Sequence, residues 1–423
     1  MLTENELIKF RRELHSYPET GWCEFVTTHK IVEKLRSFGL DPIYGRQVIN
    51  PEFVAGRNPA KVEEAKKAAL EKGVPPEFIE SMQDYTGVAA IFETGRPGPV
   101  LAIRFDMDCV DVDEAHEAGH RPFDEGWAST NPGHMHSCGH DGHATMGIAV
   151  CNWIQENLDQ FCGTIKVVFQ PAEEGVRGAR PMTETGIFDD VDFFFGNHLG
   201  FNLPTGTISP EPGVFLASTK LDATFTGLAA HSGADPQNGK NALLAGAAAA
   251  LAIHGITRPI GEVTALNVGT LVAGQGRNVV APNAFMQLEV RGETEELNAY
   301  MCDQAIRKIK ASADMYDCQV DIVKAGEATE FKPDQEAIDL AYIAARNVTT
   351  EELAKPLGLK LGSEDCTIML RRVQQHGDKG TFVVFGCRTS AGHHQRLFDF
   401  DEDVIGIALR FYQNLIPMIV GIK

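Results

Sequence analysis

The run Met135-His136-Ser137-Cys138-Gly139-His140-Asp141-Gly142-His143 places three histidines, a cysteine and an aspartate within nine residues, with glycines where the backbone must turn. The thiolate of Cys138 and the imidazole of His140 suit zinc, or manganese if carboxylates complete the shell. A dication held there would supply a Lewis acid and an acidified water, which is hydrolytic chemistry. The alternative for such a loop is a polar turn whose histidines are solvated or structurally satisfied. Further candidates follow other apolar runs: Asp106-Met107-Asp108 after residues 100–105, Glu173-Glu174 after 167–172, His198 after Phe193-Phe194-Phe195, and Gly392-His393-His394 after 382–386. Neighbouring residues of an extended chain face opposite ways, so Glu173 and Glu174 divide two roles. One can hold metal while the other takes a proton from the attacking water.

Something must position these groups, and the apolar runs before them read as strands separated by helices. Helical spacing covers 7–14, 29–38, 143–157 and 179–185, and β-rich runs cover 88–93, 100–105, 164–169 and 191–196. This alternation predicts an α/β sheet covered by helices on both faces, with the chemistry at strand ends. The charged, alanine-rich segment 57–83, flanked by Pro59 and Pro75-Pro76, reads as a helical surface insertion. After Pro212 the order is strand 219–225, helix 241–254, strands 263–272 and 285–291, helix 295–315, strand 318–324. That β-α-β-β-α-β order is the ferredoxin-like plan. The expected organisation is a larger domain in two pieces, 1–214 and 329–423, interrupted by an inserted domain at 215–328.

Composition sets the outer bounds. At 423 residues the chain exceeds one ordinary core. A net charge of −20 argues against nucleic acid as a partner, and gives no long-range attraction to an anionic substrate. The alanine-rich run 242–253 is too short to span a bilayer, so no membrane partner is expected. The chain opens as a capped amphipathic helix, and its nine cysteines are odd in number and scattered. Both features fit a reducing cytoplasm better than a disulfide framework.

The motifs together resemble the amidohydrolase branch of the M20 metallopeptidases. The resemblance is carried by Arg104-Phe-Asp-Met-Asp108, Cys138-Gly-His-Asp-Gly-His143, Gln170-Pro-Ala-Glu-Glu174, Asn197-His198, Ala230-His231-Ser232, Gly362-Ser-Glu-Asp365, Gly392-His-His394 and Phe398-Asp-Phe-Asp401. It implies a mixed-sheet α/β catalytic domain and an inserted lid or dimerisation domain. It also implies two divalent ions, Mn2+ or Zn2+, held by Cys138, His140, Glu174, His198 and His394, with the thiolate a candidate bridge. His394 is chosen over His393 by the family's spacing to Phe398. Asp106 and Asp108 would orient the ligands, and His143 would pack or hydrogen-bond without ligating. Glu173 would be general base and acid, and His231 would stabilise the oxyanion. Asn278 and Arg291 would meet the substrate, although Arg291 also reads as a surface strand residue.

The implied reaction is cleavage of the amide bond of an N-acyl or N-aroyl amino acid, with p-aminobenzoyl-glutamate the first candidate. Hippurate-type or other acyl amino acids are the alternative substrates. A non-catalytic subunit needing a homologous partner is the alternative role. The inserted domain would support a homodimer, or a heteromer with a homologous subunit.

Overall fold

The computed structural model describes residues 1–360 and 362–423. The chain divides into two compact units. One comprises Met1–Val214, Lys332–Lys360 and Asp365–Lys423; the other comprises Phe215–Phe331 with residues 362–364.

The first unit is built on a seven-stranded mixed sheet in the order Ile43–Tyr44, Val88–Glu93, Thr164–Gln170, Val100–Asp106, Phe193–Phe201, Lys379–Cys387, Thr207–Ser209. Its four central strands are parallel, and the flanking ones pair antiparallel. Residues 101–106 and 165–170 are buried without alternation, so both faces of the sheet centre are covered. The helix His140–Asn157 lies close against the sheet because Gly147 has no side chain. A Cβ there would stand 2.6 Å from Phe169 and 2.8 Å from Phe105.

Among the element boundaries that differ from the sequence reading, two move candidate ligands. The helix expected at 143–157 begins at His140. Gly139 takes φ +87°, which lets the chain reverse and start the helix three residues earlier. The strand expected at 191–196 is Phe193–Phe201, held in register with Lys379–Cys387 so that His198 pairs with Val384. His198 therefore lies inside a strand, not beyond its end. Asp106 is likewise the last residue of its own strand.

The insertion read at 57–83 forms helices Pro59–Glu71 and Pro76–Met82. The final helix, Asp403–Val420, is long and apolar enough to cross a membrane, a feature the sequence reading passed over. Half of it is buried, and Tyr412 packs edge-on against Phe105, so its apolar face is used in the core.

The second unit is a four-stranded antiparallel sheet in the order Gln319–Ala328, Ala217–Thr226, Asn283–Gly292, Thr264–Ala273. The helices Ala242–His254 and Glu295–Met315 bury Ala245, Ala249, Ile253, Met301 and Ile309 with Phe225, Met286 and Val290 of the sheet. The strand at the 264–273 edge has only one neighbour.

Candidate metal centre

Five side chains from four distant parts of the first unit converge beside the parallel strands. The ligand atoms of Cys138, His140 and His198 all lie within 4.8 Å of one another, and so do those of Cys138, Glu174 and His394. The two triads share the cysteine. Cys138 Sγ stands 3.4 Å from His198 Nε2, and His394 Nε2 stands 3.1 Å from Glu174 Oε1. His140 Nε2 is buried with no hydrogen-bond partner among the described residues, and lies 4.0 Å from both Glu174 Oε1 and Glu173 Oε2. The 4.0 Å gaps are too long for hydrogen bonds. They match ligand atoms each about 2 Å from a shared ion, which fall roughly 3–4 Å apart. The donor set therefore fits two divalent cations, with Cys138 common to both groups of donors.

The groups behind these atoms fix which nitrogen faces the cluster. His198 Nδ1–H donates to its neighbour's carbonyl, Leu199 O, at 2.7 Å, which leaves Nε2 as the lone pair facing Cys138. Asp108 Oδ1 is 3.2 Å from His140 Nδ1, which turns His140 Nε2 inward. The same carboxylate accepts from the backbone N–H of Glu173 at 3.1 Å and of Glu174 at 3.0 Å. Asp106 accepts from Arg104 at 2.7 Å and from His143 Nδ1–H at 2.5 Å. His143 Nε2 then accepts from Leu199 N–H at 2.9 Å, so His143 is fully occupied by hydrogen bonds. His393 packs edge-on against His198 and tilted against Phe201 and Phe398.

Electrostatics agree with a site that awaits positive charge. Burial pushes the Cys138 thiol well above its ordinary value, and Glu174 and Glu173 push the same way. Burial also holds His198 well below the usual imidazole range, so it presents a neutral ring. For His140 burial acts downward too, but Asp106 and Asp108 outweigh it and lift the ring to about 10. Asp106 is held well below the carboxylate range, because His140, His143 and Arg104 outweigh its desolvation.

The remaining sequence candidates lie in the second unit. His231 forms a β-bridge to Val279, and Ser232 N–H donates to Asn278 O at 3.1 Å, so His231 and Asn278 are brought together. His231 Nδ1 accepts from the backbone N–H groups of Gly233 and Ala234 at 3.2 and 3.1 Å, which places the ring proton on exposed Nε2. Arg291 is not free: its guanidinium pairs with both oxygens of Glu289 at 3.2 and 3.1 Å. A same-face neighbour two residues along the same strand is visible in sequence, but its competition for the guanidinium is not.

Sequence reasoning missed Glu24, whose carboxyl accepts from Ala172 N–H at 2.8 Å directly beside the Glu173-Glu174 pair. No spacing relates it to that pair, and only the folded chain brings them together.

Comparison with known proteins agrees with this geometry. The sequence matches peptidase family M20/M25/M40 over residues 102–417. It is 41% identical to the A-type subunit of the p-aminobenzoyl-glutamate hydrolase of Escherichia coli, over 96% of this chain and 93% of that one. It is 43% identical to an indole-3-acetyl-aspartic acid hydrolase of Enterobacter agglomerans, with the same two coverages, 96% and 93%. The crystal structure of an aminobenzoyl-glutamate utilization protein from Klebsiella pneumoniae superposes with a TM-score of 0.85 at 33% identity, covering 99% of this chain and 97% of that one. A fold, a five-residue donor cluster and full-length relatives thus agree, and the chain belongs to the M20/M25/M40 peptidase family.

Proposed function

We propose that this chain is a metal-dependent amidohydrolase that cleaves the amide bond of N-acyl or N-aroyl amino acids, with p-aminobenzoyl-glutamate the first candidate. The observation that carries this reading is the pair of donor triads sharing Cys138, with the Glu173 carboxylate 4.0 Å from His140 Nε2. Cys138, His140, Glu174, His198 and His394 would hold two divalent ions, Zn2+ or Mn2+. When bound, these would polarise the amide carbonyl and acidify a water. Glu173 takes the proton of the attacking water and returns it to the departing nitrogen. His231, with its proton on Nε2, donates to the oxyanion. Asn278 and Arg291 meet the substrate carboxylate, for which Arg291 must exchange Glu289 for its new partner.

The names of two relatives, which act on p-aminobenzoyl-glutamate and indole-3-acetyl-aspartate, support an amide of an acidic amino acid. The first of these relatives is one subunit of its enzyme, which favours a second arrangement in which this chain works beside a homologous partner. The inserted unit would supply the contact, as homodimer or heteromer, through its edge strand Thr264–Ala273 with exposed Leu271 and Val272. The nine cysteines form no disulfide among the described residues, which supports a reducing cytoplasm as its location.

The test is hydrolysis of p-aminobenzoyl-glutamate, indole-3-acetyl-aspartate and hippurate by metal-supplemented protein, beside Glu173→Gln. That variant is expected to keep both ions and lose roughly 10²- to 10⁴-fold in kcat. Near-normal turnover in it would mean the proton carrier lies elsewhere.

A further inference from the structure

Three consecutive backbone N–H groups lead into the carboxylate pair, and each donates to a buried carboxyl. Ala172 N–H donates to Glu24 Oε1 at 2.8 Å, Glu173 N–H to Asp108 Oδ1 at 3.1 Å, and Glu174 N–H to Asp108 Oδ2 at 3.0 Å. Ala172 has φ +51°, a left-handed conformation that strains an alanine backbone. Such a residue persists where its surroundings over-determine it. Glu24 is fully buried, and its other oxygen accepts from Thr86 Oγ1 at 2.7 Å. Its backbone is anchored independently of the metal loop, immediately before the helix Phe25–Arg36, in which Phe25, Ile31, Val32 and Leu35 are fully buried.

We propose that Glu24 is a positioning residue: it holds the Ala172 peptide in its left-handed turn and thereby aims the Glu173 and Glu174 carboxylates at the metal pair. This rests on the reading of Glu173 as proton carrier. The role requires reach and an acceptor oxygen, not negative charge. Burial, reinforced by Asp108, pushes the Glu24 carboxyl up to about 8, so its surroundings do not favour the charge. Without it the Ala172 N–H is left unsatisfied and the turn relaxes. A displacement of about 1 Å at the reacting group costs on the order of 10²-fold in rate.

The test compares wild type, Glu24→Gln, Glu24→Asp and Glu173→Gln by kcat, KM, metal dissociation constant and urea midpoint. Glu24→Gln keeps the reach and the acceptor, and is expected within about threefold of wild type on every measure. Glu24→Asp keeps the carboxyl but is one methylene short. It is expected to lose roughly 10- to 100-fold in kcat with little change in KM. Its metal dissociation constant should rise by about tenfold or more, because Glu174 is aimed by the same turn. If Glu24→Asp does not fold, the isosteric Thr86→Val carries the test. It frees the Glu24 carboxyl, and kcat and metal affinity should both fall several-fold. Wild-type kcat and metal affinity in Glu24→Asp, or in Thr86→Val, would overturn the proposal, as would a folded Glu24→Gln as impaired as Glu24→Asp. An inactive wild type or an active Glu173→Gln defeats the amidohydrolase reading instead, whatever Glu24 does.

Discussion

Cys138 shows how little a side chain decides alone. Its half-buried thiol lies beside Glu174 and Glu173, which oppose a third negative charge unless a cation balances it. Because it belongs to both triads, its loss should weaken both metal positions, unlike loss of His198 or His394. Cys138→Ser is expected to retain the fold but fall below two ions per chain after dialysis, as read by elemental analysis. Two tightly held ions in that variant would remove the thiolate from the bridge. The Cys138-x-His140 spacing made both residues legible as candidate ligands. The choice between the adjacent His393 and His394 needed either the family spacing or the fold. The reason is conformational: His394 sits at φ +62° with its N–H bound to Ser137 O at 2.8 Å, which turns its ring toward Glu174.

At the scale of elements, the metal loop is held from behind by a buried ionic network that no local pattern announces. Asp141, in the first turn of His140–Asn157, pairs with Arg11 Nε at 2.7 Å and His15 Nδ1 at 2.9 Å, and His15 Nε2 meets Glu114 at 3.0 Å. Burial alone would depress His15, but Asp141 and Glu114 outweigh it and lift the ring to about 9 from 6.5. A raised folded pKa contributes stability that is complete below the unfolded value and lost as pH rises through the folded one. Wild type should therefore exceed His15→Gln by up to about 3 kcal/mol at pH 6, with the gap closing by pH 9–10. Urea unfolding at both pH values measures it, and a gap constant with pH would show that His15 is neutral. Burial also lifts Glu19 from 4.5 to about 7, so wild-type stability falls for a second reason at lower pH, between about pH 4.5 and 7, and the comparison with the variant cancels it. The same helix supplies another test. Gly147→Ala gains up to about 1 kcal/mol in helix propensity, but its Cβ meets Phe169 at 2.6 Å, where overpacking costs about 1–3 kcal/mol. Packing should win, giving a net loss in the urea midpoint. A gain would mean that the rings yield freely.

The whole chain comprises two units with different work. The first holds the complete donor cluster and its orienting carboxylates, and the second holds His231 and Asn278 on neighbouring backbone. If the edge strand Thr264–Ala273 is where copies or homologous chains meet, a charge at exposed Val272 should prevent it. Val272→Lys is expected to convert an oligomer to monomer by light scattering, with the ion count per chain unchanged. An unaltered mass would place the contact elsewhere.

From residue order alone came the α/β and ferredoxin-like periodicities, the inserted helices, and each ligand type at its place in a motif, because hydrophobic period and short-range spacing are local properties. Tertiary structure decided what local spacing cannot encode. It set which carboxylates grip the Glu173-Glu174 backbone, carried the strand past His198 to pair with Lys379–Cys387, and tied Arg291 to Glu289. Glu24 belongs to the same class: about 150 residues separate it from the peptide it holds, and only burial against a shared core makes them neighbours.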